Sequence, residues 1–295
     1  MGFRAFRILF LLISIMKNMT GSGRIWYNIV VGLSKKKYRK GEAMEEQIKQ
    51  FKEMIDASEN VVFFGGAGVS TESGIPDFRS KDGLYNQHDV RFDMYQPEYL
   101  LSHSCLVYEP KVYYEFHRQK MDTRNIEPNN AHKYLAALEK EGKLKAIVTQ
   151  NIDGLHQKAG SEVVYEIHGS ALRNYCMKCG KEYPADYIFE STEPIPKCSC
   201  GGTIRPDITL YEEGLPDDQV SGAIRALAEA DMLIIGGTSL TVYPAASFID
   251  YFRGKYLVVI NESEIAVRKA ENTLIIREQI GKVFKELADL QGISL

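Results

Sequence analysis

The sequence predicts an α/β fold, a parallel sheet with helices on both faces, together with a small zinc-ribbon domain. Three observations predict it. Short apolar runs alternate with segments of helical spacing along most of the chain, and that alternation builds parallel sheets covered on both faces. The polar residues with chemical capacity, among them Gln150, Asn151, Asp153, His168, Thr238 and Asn261, follow directly on such runs. Ligands of open α/β sheets bind there, at the carboxyl ends of the strands. Finally, Cys176, Cys179, Cys198 and Cys200 form two close pairs within one short stretch.

The elements read in order as follows. Residues 45–57 have helical spacing, with Ile48, Phe51, Met54 and Ile55 on one face. Residues 61–64 form a short apolar run that ends in Gly65-Gly66-Ala67-Gly68. This reads as strand, glycine-rich turn, helix, the opening of a Rossmann-like nucleotide-binding unit. Residues 81–130 are rich in Tyr, Phe and His without a strong strand, and are expected as a helical and looped insert over the site. Residues 130–140 are a helix with Leu135 and Leu138 inward. Strands are expected at 144–148 and 163–167, and an extended segment at 204–211. A helix at 220–229 leads to a buried strand at 231–235 and a second turn, Gly236-Gly237-Thr238-Ser239. A helix at 245–252, a strand at 256–260 and a closing helix at 281–290 complete the chain.

Composition narrows the function. With 44% hydrophobic and 25% charged residues in 295, the chain is an ordinary globular protein with enough length for a sizeable core. A net charge of -3 argues against a stable nucleic-acid partner that works through a broad basic face. The apolar run at 8–16 is well short of the roughly 20 residues that span a bilayer. No small-residue cleavage site follows it, so no membrane association is expected and the cytoplasm is the expected compartment. Residues 39–42 can be encoded by a ribosome-binding sequence placed before a Met44 codon. Residues 1–43 are therefore expected to be an extension, disordered or not part of the native protein, and 44–295 the functional domain.

Four thiolates suit one tetrahedral zinc ion, and two close pairs match a zinc ribbon at about residues 171–203. No ligand position is left open, so the ion reads as structural. Cys105 stands alone and reads as a small buried apolar residue. Gly66-x-Gly68 alone is a weak signal. The fingerprint's last position holds Thr71, and no acid-ended second strand follows, which disfavours a simple hydride-transfer enzyme.

The run GAGVSTESGIPDFRS at 66–80, with TQNIDGLH at 149–156, HGS at 168–170 and GTSLTVYPAA at 237–246, closely resembles the sirtuin signature, in the family's order. The resemblance covers the chain from about Met44 onward. It implies an NAD-dependent protein-lysine deacetylase, with NAD+ as co-substrate and one structural Zn2+. Ala67, Gly68 and Thr71 would line the NAD phosphates. Phe78 and Arg79 would sit on the loop over the nicotinamide ribose. Gln150, Asn151, Ile152 and Asp153 would form the inner pocket. Thr238, Ser239 and Asn261 would hold the adenosine half, with Ile280 against adenine. His168, assisted by Asn151 and Asp153, would be the general base. In the family's reaction the acetyl-lysine carbonyl oxygen attacks the nicotinamide ribose and nicotinamide leaves. The base then takes a ribose hydroxyl proton, and water releases lysine and O-acetyl-ADP-ribose. Protein ADP-ribosyl transfer, or removal of a longer acyl chain, is the alternative with the same site.

The segment 205–213 resembles the family's peptide-binding edge, where an acetylated protein or peptide would add as an extra strand. Relatives that remove succinyl groups are similar to one another in a Tyr-x-x-Arg pair. Here the matching segment is Tyr114-Glu115-Phe116-His117, with Arg118 one residue out of register. Acetyl is therefore expected over succinyl. Gly169 beside His168 is expected to leave room for substrate.

Overall fold

The computed structural model describes residues 40–295. The chain divides into Met1–Glu46 and Gln47–Leu295. Of the first unit, only the opening turns of a helix, Lys40–Asp56, are described. The expectations for residues 1–39, including the apolar run at 8–16, lie outside the described residues. The helix starts at Lys40, earlier than the apolar spacing alone indicates. Residues 41–46 lack Gly beyond Gly41 and are otherwise good helix formers, with Glu42 in the first turn.

The second unit holds nine strands: β1 (Val61–Gly65), β2 (Leu144–Thr149), β3 (Val164–Glu166), β4 (Gly169–Cys176), β5 (Glu182–Pro184), β6 (Ile204–Ile208), β7 (Met232–Gly236), β8 (Tyr256–Ile260) and β9 (Asn272–Ile276). Six of them form one parallel sheet in the order β3-β2-β1-β7-β8-β9. β1, β2, β7 and β8 are apolar on both faces because both faces are covered. On one face, Val62 and Phe64 pack with Leu233, Ile235, Ala223, Leu227 and Phe248. On the other, Phe63 meets Phe284, which also touches Phe51 and Tyr134. These contacts bring in the helices Lys40–Asp56, Asn130–Lys140 and Ile280–Gln291. Each such ring or branched chain contributes about 1.5–3 kcal/mol by leaving water.

The strand order matters for the site. β1 leads outward to β2 and β3, whereas β7 leads the other way to β8 and β9. The crossovers that follow β1 and β7 therefore run to opposite sides of the sheet, and a crevice opens between them at the carboxyl edge.

Several expectations are corrected. After β1 the chain makes two single 3-10 turns, Ala67–Val69 and Thr71–Ser73, instead of a helix. Gly74, at φ 92°, ends the second turn, and Pro76 follows; neither residue sustains a helix. Residues Ala245–Tyr251 are 3-10 instead of α-helical. β6 lies within the extended segment expected at 204–211, whereas its antiparallel partners β4 and β5 and the edge strand β9 were not expected from the sequence. β9 is half-exposed, and β4 carries Arg173 and Asn174, so neither shows the continuous apolar run of the central strands.

The insert contains the helices Pro97–Leu100, His103–Tyr108 and Pro110–Lys120. Cys105 is fully buried there, as its apolar reading implies. His117 lies between the rings of Tyr113 and Phe189, and its two nitrogens find no partner among the described residues. Burial pushes its pKa down to about 3, that of His132 down to about 4, and that of His156 well below the ordinary value. All three stay neutral in the fold but bind protons in the unfolded chain once pH drops below about 6.5. Protonation then favours the unfolded state. Stability is expected to fall from that pH downward, by about 1.4 kcal/mol per pH unit for each imidazole. Urea unfolding at pH 7.5 and pH 5 checks this; equal midpoints would contradict it.

Candidate active site

The floor of the crevice is two glycine-rich turns in contact. The Gly68 amide donates to the Gly237 carbonyl at 2.8 Å. A Cβ on Gly68 would lie 2.9 Å from Gly237 Cα. The missing side chain is thus required by the approach of one turn to the other, and Ala67 is left to face the cavity. The segment that follows the first turn is held from behind. Asn129, the N-cap of Asn130–Lys140, donates to Val69 O and Ser73 Oγ at 2.8 and 3.0 Å. Glu72 accepts from the Gly281 amide at 2.5 Å, at the start of Ile280–Gln291.

Two cavities open here. One, of about 430 Å³, has Ala67, Gly68 and Thr71 on one side and Thr238, Ser239, Asn261 and Ile280 on the other. The second, of about 240 Å³, is lined by Ser70, Ile152 and Asp153 and by the segment from Thr209 to Glu213. Seven residues, Ala67, Phe78, Arg79, Gln150, Asn151, His168 and Val242, line both. The residues singled out in the sequence are therefore brought together from the ends of β1, β2, β3, β7 and β8. The glycine-rich cradle and the polar side chains at the strand ends fit a dinucleotide, with donors for ribose hydroxyls and small residues at the turn.

His168 sits in the shared wall. Its Nδ1 lies 2.9 Å from the Gln150 carbonyl. A carbonyl only accepts, so Nδ1 carries the hydrogen and Nε2 is the free lone pair. Burial lowers the His168 pKa, against the Gln150 bond, which raises it. The imidazole is neutral at physiological pH. Gly169, at φ 75°, is required for another reason than substrate space: a Cβ there would lie 2.0 Å from Asp207 O on β6.

Asp153 is buried and its pKa is raised by that burial, partly offset by hydrogen bonds. It accepts from Ser70 Oγ at 2.6 Å and from the Leu155 amide at 2.9 Å, while Asn151 Nδ2 donates to the same Ser70 Oγ at 3.0 Å. Ser70 thereby fixes Asn151 and Asp153 relative to each other. Sequence reasoning missed it, because a lone serine has no period and its partners lie 81 and 83 residues away. Gln150 Nε2 reaches Thr238 Oγ1 at 3.1 Å, joining the two halves of the crevice.

The loop with Phe78 and Arg79 is closed on itself by Leu84 N to Asp77 O and Tyr85 N to Phe78 O, at 2.7 and 2.9 Å. Arg79 lies over the Tyr85 ring and donates to Tyr211 Oη at 3.4 Å. Tyr211 belongs to the segment that continues β6. Its amide donates to Leu101 O, and Thr209 N donates to His168 O at 2.9 Å. Buried Arg205 holds Glu213 with two bonds, 2.6 and 2.9 Å. Between them Glu212 takes a left-handed backbone, φ 76°, which costs a residue with a Cβ about 1–2 kcal/mol. Its Oε2 accepts from the amide and hydroxyl of Ser104 at 2.9 and 2.7 Å.

Tyr114 and His117 line neither cavity. Tyr114 Oη donates to Ile204 O at 2.7 Å, and Arg118 donates to the carbonyls of Ile188 and Glu193 at 2.9 and 2.6 Å. Arg118 is thus turned toward the metal module. Lys120 lines the second cavity and donates to Gln87 Oε1 at 3.1 Å.

The four cysteine sulfurs lie within 4.8 Å of one another. Cys176–Cys200 and Cys179–Cys198 are 3.5 and 3.6 Å apart, close to the roughly 3.8 Å edge of a tetrahedron with 2.3 Å Zn–S bonds. The donor set fits one zinc ion with all four positions filled by protein. The shorter Cys-x-Cys spacing of the second pair still closes the site, helped by Gly202, where a Cβ would lie 2.6 Å from Cys176 Sγ.

A sequence model described as the Sir2 family matches residues 66–244. An NAD-dependent protein deacetylase of Clostridium perfringens is 54% identical over 83% of this chain and 100% of its own length. One of Clostridium acetobutylicum is 52% identical over 81% and 97%. Among solved structures, "Sir2-p53 peptide-NAD+" is similar with a TM-score of 0.72 and 35% identity, covering 84% of this chain and 99% of that one. "Sir2 bound to acetylated peptide" gives 0.73 and 33%, with the same coverage.

Proposed function

The chain belongs to the Sir2 family, and from that premise we propose that it removes acetyl groups from protein lysines with NAD+ as co-substrate. The products are nicotinamide, free lysine and O-acetyl-ADP-ribose. One observation carries the reading: two cavities share a wall whose only imidazole is neutral and has a free Nε2.

The roles follow from position. NAD+ supplies the activated ribose, and the chain's residues hold and deprotonate it. Ala67, Gly68 and Thr71 face the phosphates, and Thr238, Ser239, Asn261 and Ile280 face the adenosine half. Ile152 and Asp153, with Gln150 and Asn151, take the nicotinamide end, under Phe78 and Arg79. His168 Nε2 accepts the ribose hydroxyl proton as the general base. Asn151 and Asp153, fixed by Ser70, orient the ribose beside it. The acetyl-lysine enters the second cavity, with its peptide laid along residues 209–213. Zinc bound by Cys176, Cys179, Cys198 and Cys200 has no open position, so it holds β4 and β6 in place and takes no part in the chemistry.

We further assign residues 44–295 as the catalytic domain, with the helical insert at about 81–130 and the zinc-ribbon module at about 171–203, and residues 1–43 as an extension. No helix among the described residues is long and apolar enough to cross a membrane. Four thiolates kept for metal suit a reducing compartment, which supports the cytoplasm; cell fractionation tests it.

The deciding experiment is incubation with NAD+ and an acetyl-lysine peptide, followed by mass spectrometry of all products. The three products above are expected. ADP-ribosylated protein in their place would replace the deacetylase reading with a transferase. A succinyl-lysine peptide of the same sequence is expected to turn over at least about tenfold more slowly, because His117 stands where a Tyr-x-x-Arg pair has its arginine and Arg118 is bonded to the carbonyls of Ile188 and Glu193. Faster desuccinylation would point to Lys120 as a carboxylate partner.

A further inference from the structure

The backbone at Glu212 is the one strained point on the rim of the second cavity. Among the described residues only Glu212 and Leu240 combine a side chain with a positive φ, and Glu212 lines the cavity that takes the acetyl-lysine. Its two neighbouring oxygens are in different states. Oε2 is held by the Ser104 amide and hydroxyl. Oε1 has no hydrogen-bond partner among the described residues, and no Lys, Arg or His lies within ion-pair distance of this carboxylate. The adjacent acid is quite different: Glu213 is consumed by Arg205, His103 and the Leu210 amide. Tyr243, 73% exposed, lines the same cavity. The rim therefore carries a fixed, half-used negative charge and an open aromatic ring.

We propose that Glu212 is a specificity-determining residue, which selects substrates with a lysine or arginine side chain next to the acetylated lysine. The inference rests on the deacetylase reading for its substrate, since it takes the second cavity as the peptide cleft. The chemistry is direct. A carboxylate held rigid by Ser104 loses little freedom when a cation meets it, and charge-assisted bonds are the stronger class. An exposed aromatic ring on the same rim, Tyr243, offers a basic flanking side chain a further kind of favourable contact. An acidic flanking residue would instead meet like charge and be rejected.

The test uses the full chain and three acetyl-lysine peptides that differ only at the flanking positions, with Arg, Ala or Glu there. Peptide affinity is measured by fluorescence anisotropy without NAD+, and kcat/KM with it. The wild type is expected to favour Arg over Ala by about fivefold to tenfold at low salt, with the preference shrinking as ionic strength rises. Glu212→Gln keeps an acceptor for Ser104 and is expected to bring the three affinities within about twofold. Glu212→Gly removes the carboxylate and suits the left-handed backbone, so it is the variant that relieves strain, and it is expected to show the same loss of preference. Glu212→Lys is expected to invert the order toward the Glu peptide. Equal wild-type affinities, or a basic preference that survives in Glu212→Gln, would overturn the proposal. Anisotropy reports on Glu212 even without catalysis, whereas absence of turnover on all three peptides would count against the deacetylase reading alone.

Discussion

His168→Ala is expected to lower kcat by about 10²–10⁴-fold, the usual contribution of a positioned general base. The side chain makes one hydrogen bond, from Nδ1 to the Gln150 carbonyl. Its loss costs about 0.5–1.5 kcal/mol, so the variant stays folded. NAD+ affinity, measured by calorimetry, should change far less than turnover. The pH profile carries a second mark. Burial lowers the His168 pKa, so the base keeps its lone pair to lower pH than an ordinary imidazole does. The acid limb of the wild-type rate profile should therefore lie at lower pH than an unburied imidazole would give. Activity within tenfold of wild type in His168→Ala would remove the residue from the chemistry.

Cys198→Ala is expected to abolish zinc binding, from one ion per chain to none, and to eliminate turnover. Structural zinc sites in small domains carry about 10–16 kcal/mol of apparent binding free energy, comparable with or above the whole stability of an ordinary domain. The effect should be local at first. Cys176, Cys198, Ile204 and Ile208 belong to a core shared with Tyr113 and Tyr114. The parallel sheet packs through a separate cluster around Val62, Phe64 and Leu233. Yet β4 begins one residue after His168, and β6 runs straight into Thr209. A loosened module releases both walls of the acetyl-lysine cavity. Metal analysis with hydrogen exchange checks this: fast exchange should appear in residues 169–208 while β1, β7 and β8 stay protected. Full activity of the metal-free protein would show that the zinc is dispensable.

What the sequence disclosed and what it withheld divide along physical lines. β1, β7 and β8 are continuous apolar runs because both faces of the parallel sheet are covered, and such runs announce themselves. The polar residues at their ends were legible for the same reason, since a run that stops at Asn151 or Thr238 marks the edge where chemistry sits. β9 is half-exposed and β4 is interrupted by Arg173 and Asn174, so neither shows a continuous apolar run. The 3-10 turns after β1 depend on Gly74 and Pro76 more than on apolar period. Ser70, Glu72 and Ser104 act through partners far away in the chain, and no local pattern reports such contacts. The left-handed Glu212 is likewise invisible in a string of letters, where a glutamate suggests nothing about φ. Gly68 and Gly169 were marked as special, but their reason, the main chain of Gly237 and of Asp207, required the fold.

The contact between the Gly68 and Gly237 turns also has a bearing on biosynthesis. A nascent chain that has emerged through β1 and β2 owns the first half of the crevice and none of the second. Thr238, Asn261 and Ile280 follow only with the last strands and the closing helix, and the central pairing of β1 with β7 joins segments of very large sequence separation. Such non-local closure is slow and leaves strand edges exposed while it waits. A site divided between the two halves of the sheet is complete only when both have met, so NAD+ is expected to stabilise the finished fold by mass action.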